Sequence, residues 1–506
     1  MAAEPQPAPY RPEPAILALG DAFYDAVAPA DFPQAILRFR NDRQAAVVGL
    51  DALSDDDWIR HFARFEPLPD NLPEPLALRY HGHQFRVYNS DIGDGRGFLF
   101  AQLRDGAKDH GGRLLDLGTK GSGRTPWSRF GDGRLTLKGA VRELLASEML
   151  EALGAETSKT FSLIETGEPL ERNDEPSPTR SAVLVRLQHG HIRIGTFQRL
   201  ATLGEADNIR KLTEYCLRHY YPDPRHCEER SDEAIQPWSA SETGLLRSAR
   251  NDEEGWPAAR LLGHVADATA RLAASYVAAG FVHGVLNSDN IAITAQSFDY
   301  GPWRWTPFWD GGFTAAYFDH QGLYAFARQP EAIHWDLVQL ALSLRAIAEA
   351  DALTAELELF PALFREALRD AIFARLGIVP GALDEDMVVV AAIEEALSKQ
   401  TVTIDRFFFD WRGGGRPPVP GVANSLIRDL PYKGEGFEAV AEMLAARTGV
   451  VGARDHPYWS DAEPCSMHID EVEAIWAAID TADDWSPLHA KIAAIRRMGE
   501  ALAANA

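Results

Sequence analysis

The chain has 506 residues, of which 46% are hydrophobic and 25% charged, a composition typical of a soluble globular protein with two or three domains. Its formal net charge of -24 argues against a nucleic-acid binder, because neutralising phosphates requires a basic face. The chain has no apolar stretch near the roughly 18 residues of a membrane span, no secretory signal and few cysteines, so we expect a cytoplasmic protein without nucleic-acid or membrane partners.

The first half of the chain changes character near residue 80. Residues 1–80 mix Pro-rich connectors with short helical patterns at 15–27 and 50–65, and we expect an extension that packs on the core. Residues 81–200 are typical of a small β-rich lobe with one helix. Within it, strands are predicted at 98–104, 113–120, 159–165 and 181–188, and the helix at 137–153.

The second half is predicted to be mainly helical. Residues 201–400 form a larger lobe, interrupted at 225–255 by a highly charged stretch without apolar periodicity that we interpret as a surface insertion. Residues 401–506 are predicted to be a helical C-terminal extension. The fold class is therefore α+β, and the boundary between the two lobes is the expected ligand site, because clefts between domains usually are.

Glycines and basic residues are concentrated between the predicted strands of the small lobe. GDGRG spans 93–97, KGSGRTPWSR begins at Lys120, and ten Lys or Arg stand against four Asp between Arg96 and Arg142. Glycine lets a backbone approach a phosphate closely, and the cations supply charge. This predicts a polyphosphate site, although a solvated basic face with glycine turns explains the pattern equally well. The spacing fits neither a P-loop nor a Rossmann fingerprint.

Polar side chains gather again in the segment 283–301. Asp289 and Asn290 lie on a turn-rich run, residues 291–294 form a predicted strand, and Asp299 follows. An Asn and an Asp at opposite ends of a small hairpin can converge on one hard cation together with phosphate oxygens. The alternative is two turns in which these residues serve only backbone geometry.

The order of these residues matches that of protein kinases. A kinase has a strand Lys paired with a helix Glu, then a metal-binding Asn and Asp, and here Lys120, Glu143, Asn290 and Asp299 occur in that order. The base Asp of kinases is replaced by Val285. Asp289 is then the nearby carboxylate able to accept a proton. The His-x-His pairs at 81–83 and 189–191 are explained by strand or turn geometry at least as well as by metal binding.

Several longer motifs resemble the selenoprotein O family, called YdiU in bacteria. They are GHQF (82–85), GDGR (93–96), KGSGRTPWSRFGDGR (120–134), RELLASEMLEALG (142–154), HIRIGTFQ (191–198), and HGVLNSDN with FDYGP (283–302). The resemblance implies a protein-kinase-like, two-lobed fold and transfer of AMP from ATP, or UMP from UTP, to Ser, Thr or Tyr hydroxyls of proteins. The segment after about residue 400 resembles the family poorly.

The same resemblance implies roles for individual residues. Asp289 corresponds to the proton acceptor, Glu143 to the ion-pair partner of Lys120, and Asn290 and Asp299 to the ligands of Mg²⁺ or Mn²⁺. The nucleotide-binding positions are Gly93, Gly95, Arg96, Lys120, Asp132, Gly133, Arg186 and Arg193. Two alternatives stay open, a kinase-type enzyme that moves the γ-phosphate and a non-catalytic pseudokinase that only binds nucleotide.

Overall fold

The structure is a computed structural model that describes residues 8–106, 112–173, 175–222, 256–414, 432 and 436–504. The charged stretch predicted to be a surface insertion, 225–255, lies outside the described residues. The protein is a mixed α/β protein, with its main sheet in the N-terminal region and mostly helices after it.

An antiparallel sheet organises the N-terminal region. Its strands are β1 (Tyr24–Ala26), β2 (Ile36–Arg40), β3 (Leu76–Leu78), β6 (Leu99–Arg104), β7 (Leu114–Lys120), β8 (Leu135–Thr136), β9 (Lys159–Leu170) and β10 (Thr179–Gln188), and a separate hairpin joins β4 (Gly82–Gln84) to β5 (Val87–Asn89). The strands of the main sheet run in the order β1-β3-β6-β7-β10-β9-β2, and β8 pairs with β10. The central strand β7 is buried along its whole length, including its polar residues Asp116, Thr119 and Lys120.

Helix α3 packs on this sheet and connects it to the end of the chain. It spans Leu137–Ala152, and the residue before it, Thr136, is its N-cap. The Thr136 hydroxyl accepts a hydrogen bond from the Gly139 amide. Its other side meets the C-terminal helices, because Glu148 pairs with Arg496 at 2.8 Å and Lys138 with Glu473 at 2.7 Å. The helix is thus held from both sides.

The remaining helices surround a long central helix, α6 (Trp256–Ala279), which leads to a short strand, β11 (Phe281–Val282). This strand pairs with β12 (Arg304–Trp305). The polar segment 283–301 follows β11 directly. The helices before α6 are α1 (Asp42–Val47), α2 (Asp55–Phe62), α4 (Ile194–Thr202) and α5 (Ala206–His219); α6 is Trp256–Ala279; those after it are α7 (Gln329–Leu344), α8 (Ala350–Leu357), α9 (Phe360–Leu376), α10 (Leu383–Leu397), α11 (Ile404–Asp410), α12 (Phe437–Ala445), α13 (Ile469–Ala482) and α14 (Ser486–Ala503).

The strands predicted in the small lobe and the helix at 137–153 are confirmed to within a few residues. The helical pattern predicted at 15–27 is wrong in its second part. Gly20 adopts a positive φ of 83°, and the residues after it form β1, which pairs with β3. Pairing with a distant strand here outweighs the local apolar spacing.

The strand predicted at 291–294 is also wrong. Only Ala292 forms a β-bridge, and its partner is Arg193. The Ile293 amide donates to Ile192 O at 2.9 Å, and the Ile194 amide donates to Ile291 O at 3.0 Å. The segment therefore pairs with the chain leaving β10, and the predicted local hairpin does not form.

Candidate active site

A cavity of about 770 Å³ lies between the sheet and the segment 283–301. It is lined on one side by the glycine-rich loop and the strands β7 and β10, and on the other by Asp289 and Asp299. Of the twelve predicted site residues, ten line this cavity, and Glu143 and Asn290 do not. Those that line it are Gly93, Gly95, Arg96, Lys120, Asp132, Gly133, Arg186, Arg193, Asp289 and Asp299.

Lys120, at the end of β7, is fixed by two carboxylates. Its ammonium forms an ion pair with Glu143 of α3 and another with Asp299 Oδ1 at 2.5 Å. The side chains of Lys120 and Glu143 are only 6% and 5% exposed. A buried ammonium paired in this way cannot turn to solvent without leaving the buried Glu143 carboxylate without this partner, so it stays directed into the cavity.

Asp299 is surrounded by positive charge. Besides Lys120, its carboxylate lies 3.5 Å from Arg186 and 3.8 Å from Arg193. Burial disfavours the ionised carboxyl, but these three cations outweigh it and hold the pKa of Asp299 well below its usual range. The backbone at Asp299 has a positive φ of 65°, an uncommon conformation that costs energy in a non-glycine residue.

The two arginines are incompletely paired although both are buried. Arg193 donates to the Asp289 carbonyl at 2.9 Å and to Asp94 at 3.2 Å. Its Nε, together with Nε and one terminal nitrogen of Arg186, has no hydrogen-bond partner. Buried guanidinium N–H groups without acceptors are costly, and an anion in the cavity would satisfy them.

The glycine-rich loop lies directly against neighbouring backbone. A β-carbon at Gly93 would come within 2.6 Å of the Trp127 ring, and one at Gly97 within 2.0 Å of the Thr119 carbonyl oxygen. Side chains are therefore excluded at both positions. At the outer rim, Asp132 accepts from Arg172 at 2.8 Å. The loop thus presents backbone and charge, the two features needed to hold a phosphate chain.

Asp289 lies on a short 3-10 turn, Ser288–Asn290, and is 7% exposed. Burial raises the pKa of Asp289 to about 6, with Arg193 acting against the shift. Its Oδ1 has no hydrogen-bond partner. A carboxyl that lines the cavity, has a raised pKa and keeps one oxygen without a hydrogen-bond partner is suited to accepting a proton.

The β4–β5 hairpin holds the Asp289 turn in place. The His83 amide donates to Ser288 Oγ at 2.8 Å, and the Phe85 amide donates to Asn287 Oδ1 at 3.0 Å. Ser288 in turn donates to Gln198 of α4 at 2.6 Å. The GHQF motif therefore supports the turn that carries Asp289, a role that sequence analysis did not assign.

Gly82, which begins this hairpin, gives a direct test of the support. A β-carbon there would lie 2.8 Å from both Cβ and Oδ1 of Asp289. We expect Gly82→Ala to displace the carboxylate and lower kcat for transfer about a hundredfold, with little change in nucleotide affinity. Gly312→Ala is the matched control, because its β-carbon makes only an ordinary contact of 3.5 Å. A G82A enzyme as active as G312A would show that this contact does not position Asp289.

Asn290 and Asp299 offer oxygen donors of the kind that Mg²⁺ and Mn²⁺ take. The Asn290 amide nitrogen donates to Val285 O at 3.0 Å, which fixes the amide and leaves its oxygen for another partner. Within the described ranges, no group of three or more His, Cys, Asp or Glu is arranged to hold a metal. The oxygen donors of Asn290 and Asp299 are of the type that suits a cation with further ligands from phosphate and water, although only Asp299 of the two lines the cavity.

Comparison with known proteins places the chain in a family. A family model described as Protein adenylyltransferase SelO matches residues 9–496. The chain belongs to the SelO family. The match confirms the resemblance drawn from the motifs. It also covers most of the segment after residue 400, so the interpretation of that segment as a poor match to the family was wrong.

Three relatives of this SelO chain share one name, and each aligns with it over most of its length. Protein nucleotidyltransferase YdiU of Gloeobacter violaceus is 40% identical over 96% of this chain and 95% of its own. The protein of that name in Synechococcus elongatus is 37% identical over 97% and 96%, and that in Pseudomonas putida 33% over 85% and 81%. This SelO chain is therefore an enzyme of the nucleotidyltransferase class that uses a nucleoside triphosphate. Among the helices that the structure describes, none is long and apolar enough to span a membrane.

Proposed function

We propose that this protein transfers AMP from ATP to Ser, Thr or Tyr hydroxyls of other proteins and releases pyrophosphate. The observation that carries the proposal is the cluster of Lys120, Arg186 and Arg193 around Asp299, with Asp289 lining the same cavity beside Arg193. The three cations hold the outer phosphates. With the outer phosphates held there, the α-phosphorus is the reacting centre, and Asp289 is the carboxylate of the same cavity that can orient the attacking hydroxyl.

The chemistry follows from the charges of these residues. Asp289 orients the acceptor hydroxyl and takes its proton as the oxygen attacks the α-phosphorus. Lys120 and the two arginines stabilise the charge that develops on the departing pyrophosphate, because they are fixed before the reaction and need no reorganisation. A divalent Mg²⁺ or Mn²⁺ held by Asn290 and Asp299 would supply further neutralisation of phosphate charge.

The proposed architecture is that of a two-lobed, protein-kinase-like enzyme. We assign residues 81–200 to the nucleotide-binding lobe and 201–400 to the catalytic lobe, with 1–80 and 401–506 as extensions. Three observations support this division: the Lys120–Glu143 ion pair, the antiparallel sheet around β7 and β10, and the polar segment after β11.

The position of the label on ATP tests the transfer. Incubation with a protein extract, ATP and Mg²⁺ or Mn²⁺ is expected to move radioactivity to protein from α-³²P-ATP and not from γ-³²P-ATP. Label from the γ-position alone would identify a phosphotransferase and contradict the proposal. Label from neither, with nucleotide binding intact, would indicate a non-catalytic pseudokinase. Parallel reactions with α-³²P-UTP determine whether UMP is transferred instead of AMP.

A further inference from the structure

One polar side chain in the cavity has no role in this mechanism. His191 lies just beyond β10 and lines the cavity together with Arg186 and Arg193. It is 5% exposed, and its Nε2 has no hydrogen-bond partner. A buried ring nitrogen needs a hydrogen-bond partner. Because Nε2 lies beside the phosphate site and has none in the protein, we infer that it contacts the ligand.

The imidazole ring of His191 packs against β7 at Gly118, where the strand has no side chain. A β-carbon at Gly118 would lie 2.3 Å from His191 Nε2, so no other residue at that position leaves room for the ring. Gly118 shares a face of β7 with Lys120, since side chains two apart point the same way, and it pairs across the ladder with Arg186. Nε2 therefore lies against β7 between the neighbours Lys120 and Arg186.

The opposite edge of the ring is held by a carboxylate. The His191 backbone amide and Nδ1 lie 2.8 Å and 3.2 Å from Asp116 Oδ2. The other oxygen of Asp116 accepts from Gln102 at 2.8 Å. Because Nδ1–H donates to Asp116, a neutral ring would turn the Nε2 lone pair toward an incoming phosphate, and only the protonated ring donates to it. Asp116 favours that protonated form.

We propose that His191, backed by Asp116, binds the outer phosphates of the nucleotide as an imidazolium and gives its proton to the pyrophosphate leaving group. The bond from the acceptor oxygen to the α-phosphorus forms, and the bond from the α-phosphorus to the bridging oxygen breaks with its electron pair on pyrophosphate. Asp289 receives the hydroxyl proton and pyrophosphate receives the Nε2 proton. This inference rests on the proposed function, because it requires the outer phosphates at this end of the cavity.

The charges facing His191 make nucleotide binding proton-linked. In the protein without nucleotide, burial lowers the pKa of His191, and the negative charge of Asp116 opposes this shift. Arg186 lowers the pKa further, and Asp94 raises it by a smaller amount. Lys120 adds positive charge from the same strand. A bound triphosphate neutralises these cations and favours the imidazolium, so binding near neutral pH should take up a proton.

Calorimetric titration tests this with α,β-methylene-ATP, which cannot transfer AMP. Measured with Mg²⁺ at pH 7 in buffers of different ionisation enthalpy, the wild-type enzyme is expected to take up about one proton more than His191→Gln. H191Q is also expected to raise the nucleotide KM about tenfold, the effect of losing one charge-assisted hydrogen bond. The titration of the nucleotide phosphates and of Asp289 is common to both proteins and cancels in the difference.

A second variant separates proton binding from packing. Asp116→Asn keeps the ring and its contact with Gly118 but removes the negative charge behind it, and should reduce proton uptake relative to wild type. Equal uptake in wild type, H191Q and D116N would overturn the inference. That outcome would leave the proposed function intact wherever wild-type enzyme still transfers the α-label to protein.

Discussion

Replacing Asp299 with alanine is expected to lower nucleotidyl transfer about a thousandfold or more, which is the scale of losing several kcal/mol of transition-state stabilisation. Nucleotide binding should survive. In the absence of nucleotide the Asp299 carboxylate pairs with Lys120, Arg186 and Arg193, so D299A leaves these cations free for phosphate. We therefore expect α,β-methylene-ATP to bind D299A in EDTA at least as tightly as it binds the wild type.

The two effects are measured separately, by α-³²P transfer to protein with Mg²⁺ and by calorimetric titration without it. Asp267→Ala serves as a control, because Asp267 is a surface residue of α6 paired with Arg271. Transfer by D299A within tenfold of the D267A rate would contradict the proposed role. Loss of metal-free nucleotide binding would show that the carboxylate supports the site in another way. The D299A protein without nucleotide should also melt at a lower temperature, because three buried cations lose their anion.

Replacing Asp289 with asparagine is expected to lower kcat about a hundredfold to a thousandfold, the usual contribution of a general base, with little change in nucleotide affinity. Asparagine keeps the shape of the side chain and removes only its ability to accept a proton. The defect should therefore appear in kcat at saturating nucleotide. D289N activity above one-tenth of wild type would contradict the assignment.

The same residue predicts a pH profile. Because the base must be ionised and burial raises the pKa of Asp289 in the nucleotide-free protein to about 6, wild-type kcat/KM should rise as the pH increases through about 6 and level off above it. Activity is lost as the pH falls through that value. A kcat/KM that stays constant between about pH 5 and 8 would exclude Asp289 as the titrating base. D289N should show no such rise in its residual rate.

The parts of the site that local chemistry determines were predictable from sequence. Lys120 and Glu143 stand in a strand and a helix whose apolar patterns are strong, so both elements followed from periodicity, and the pairing followed from the order of these residues in protein kinases. The resemblance to the family supplied Arg186 and Arg193, which spacing alone would not single out. Asp94, the partner of Arg193, lies inside the GDGR motif, so the sequence did contain a signal for it.

The parts that depend on long-range pairing were not predictable. Residues 291–294 carry a β-like sequence, yet they pair with the chain leaving β10, about a hundred residues earlier. The β4–β5 hairpin contacts Ser288, roughly two hundred residues later, and its short strands carry too little periodicity to be recognised. His191 acquires its position only through Gly118 and Asp116, which a one-dimensional pattern does not bring together.

Helix α3 connects distant parts of the chain to the nucleotide. One of its faces presents Glu143 to Lys120, while another is tied to the C-terminal helices through the pair of Glu148 and Arg496. We therefore expect substitutions in α14 to affect the orientation of Lys120 although none of its residues lines the cavity. In a genetic screen for lost activity, inactivating substitutions are expected in the last forty residues as well as in the cavity. A higher nucleotide concentration should partly restore the activity of the C-terminal variants, but not that of variants changed at Asp289.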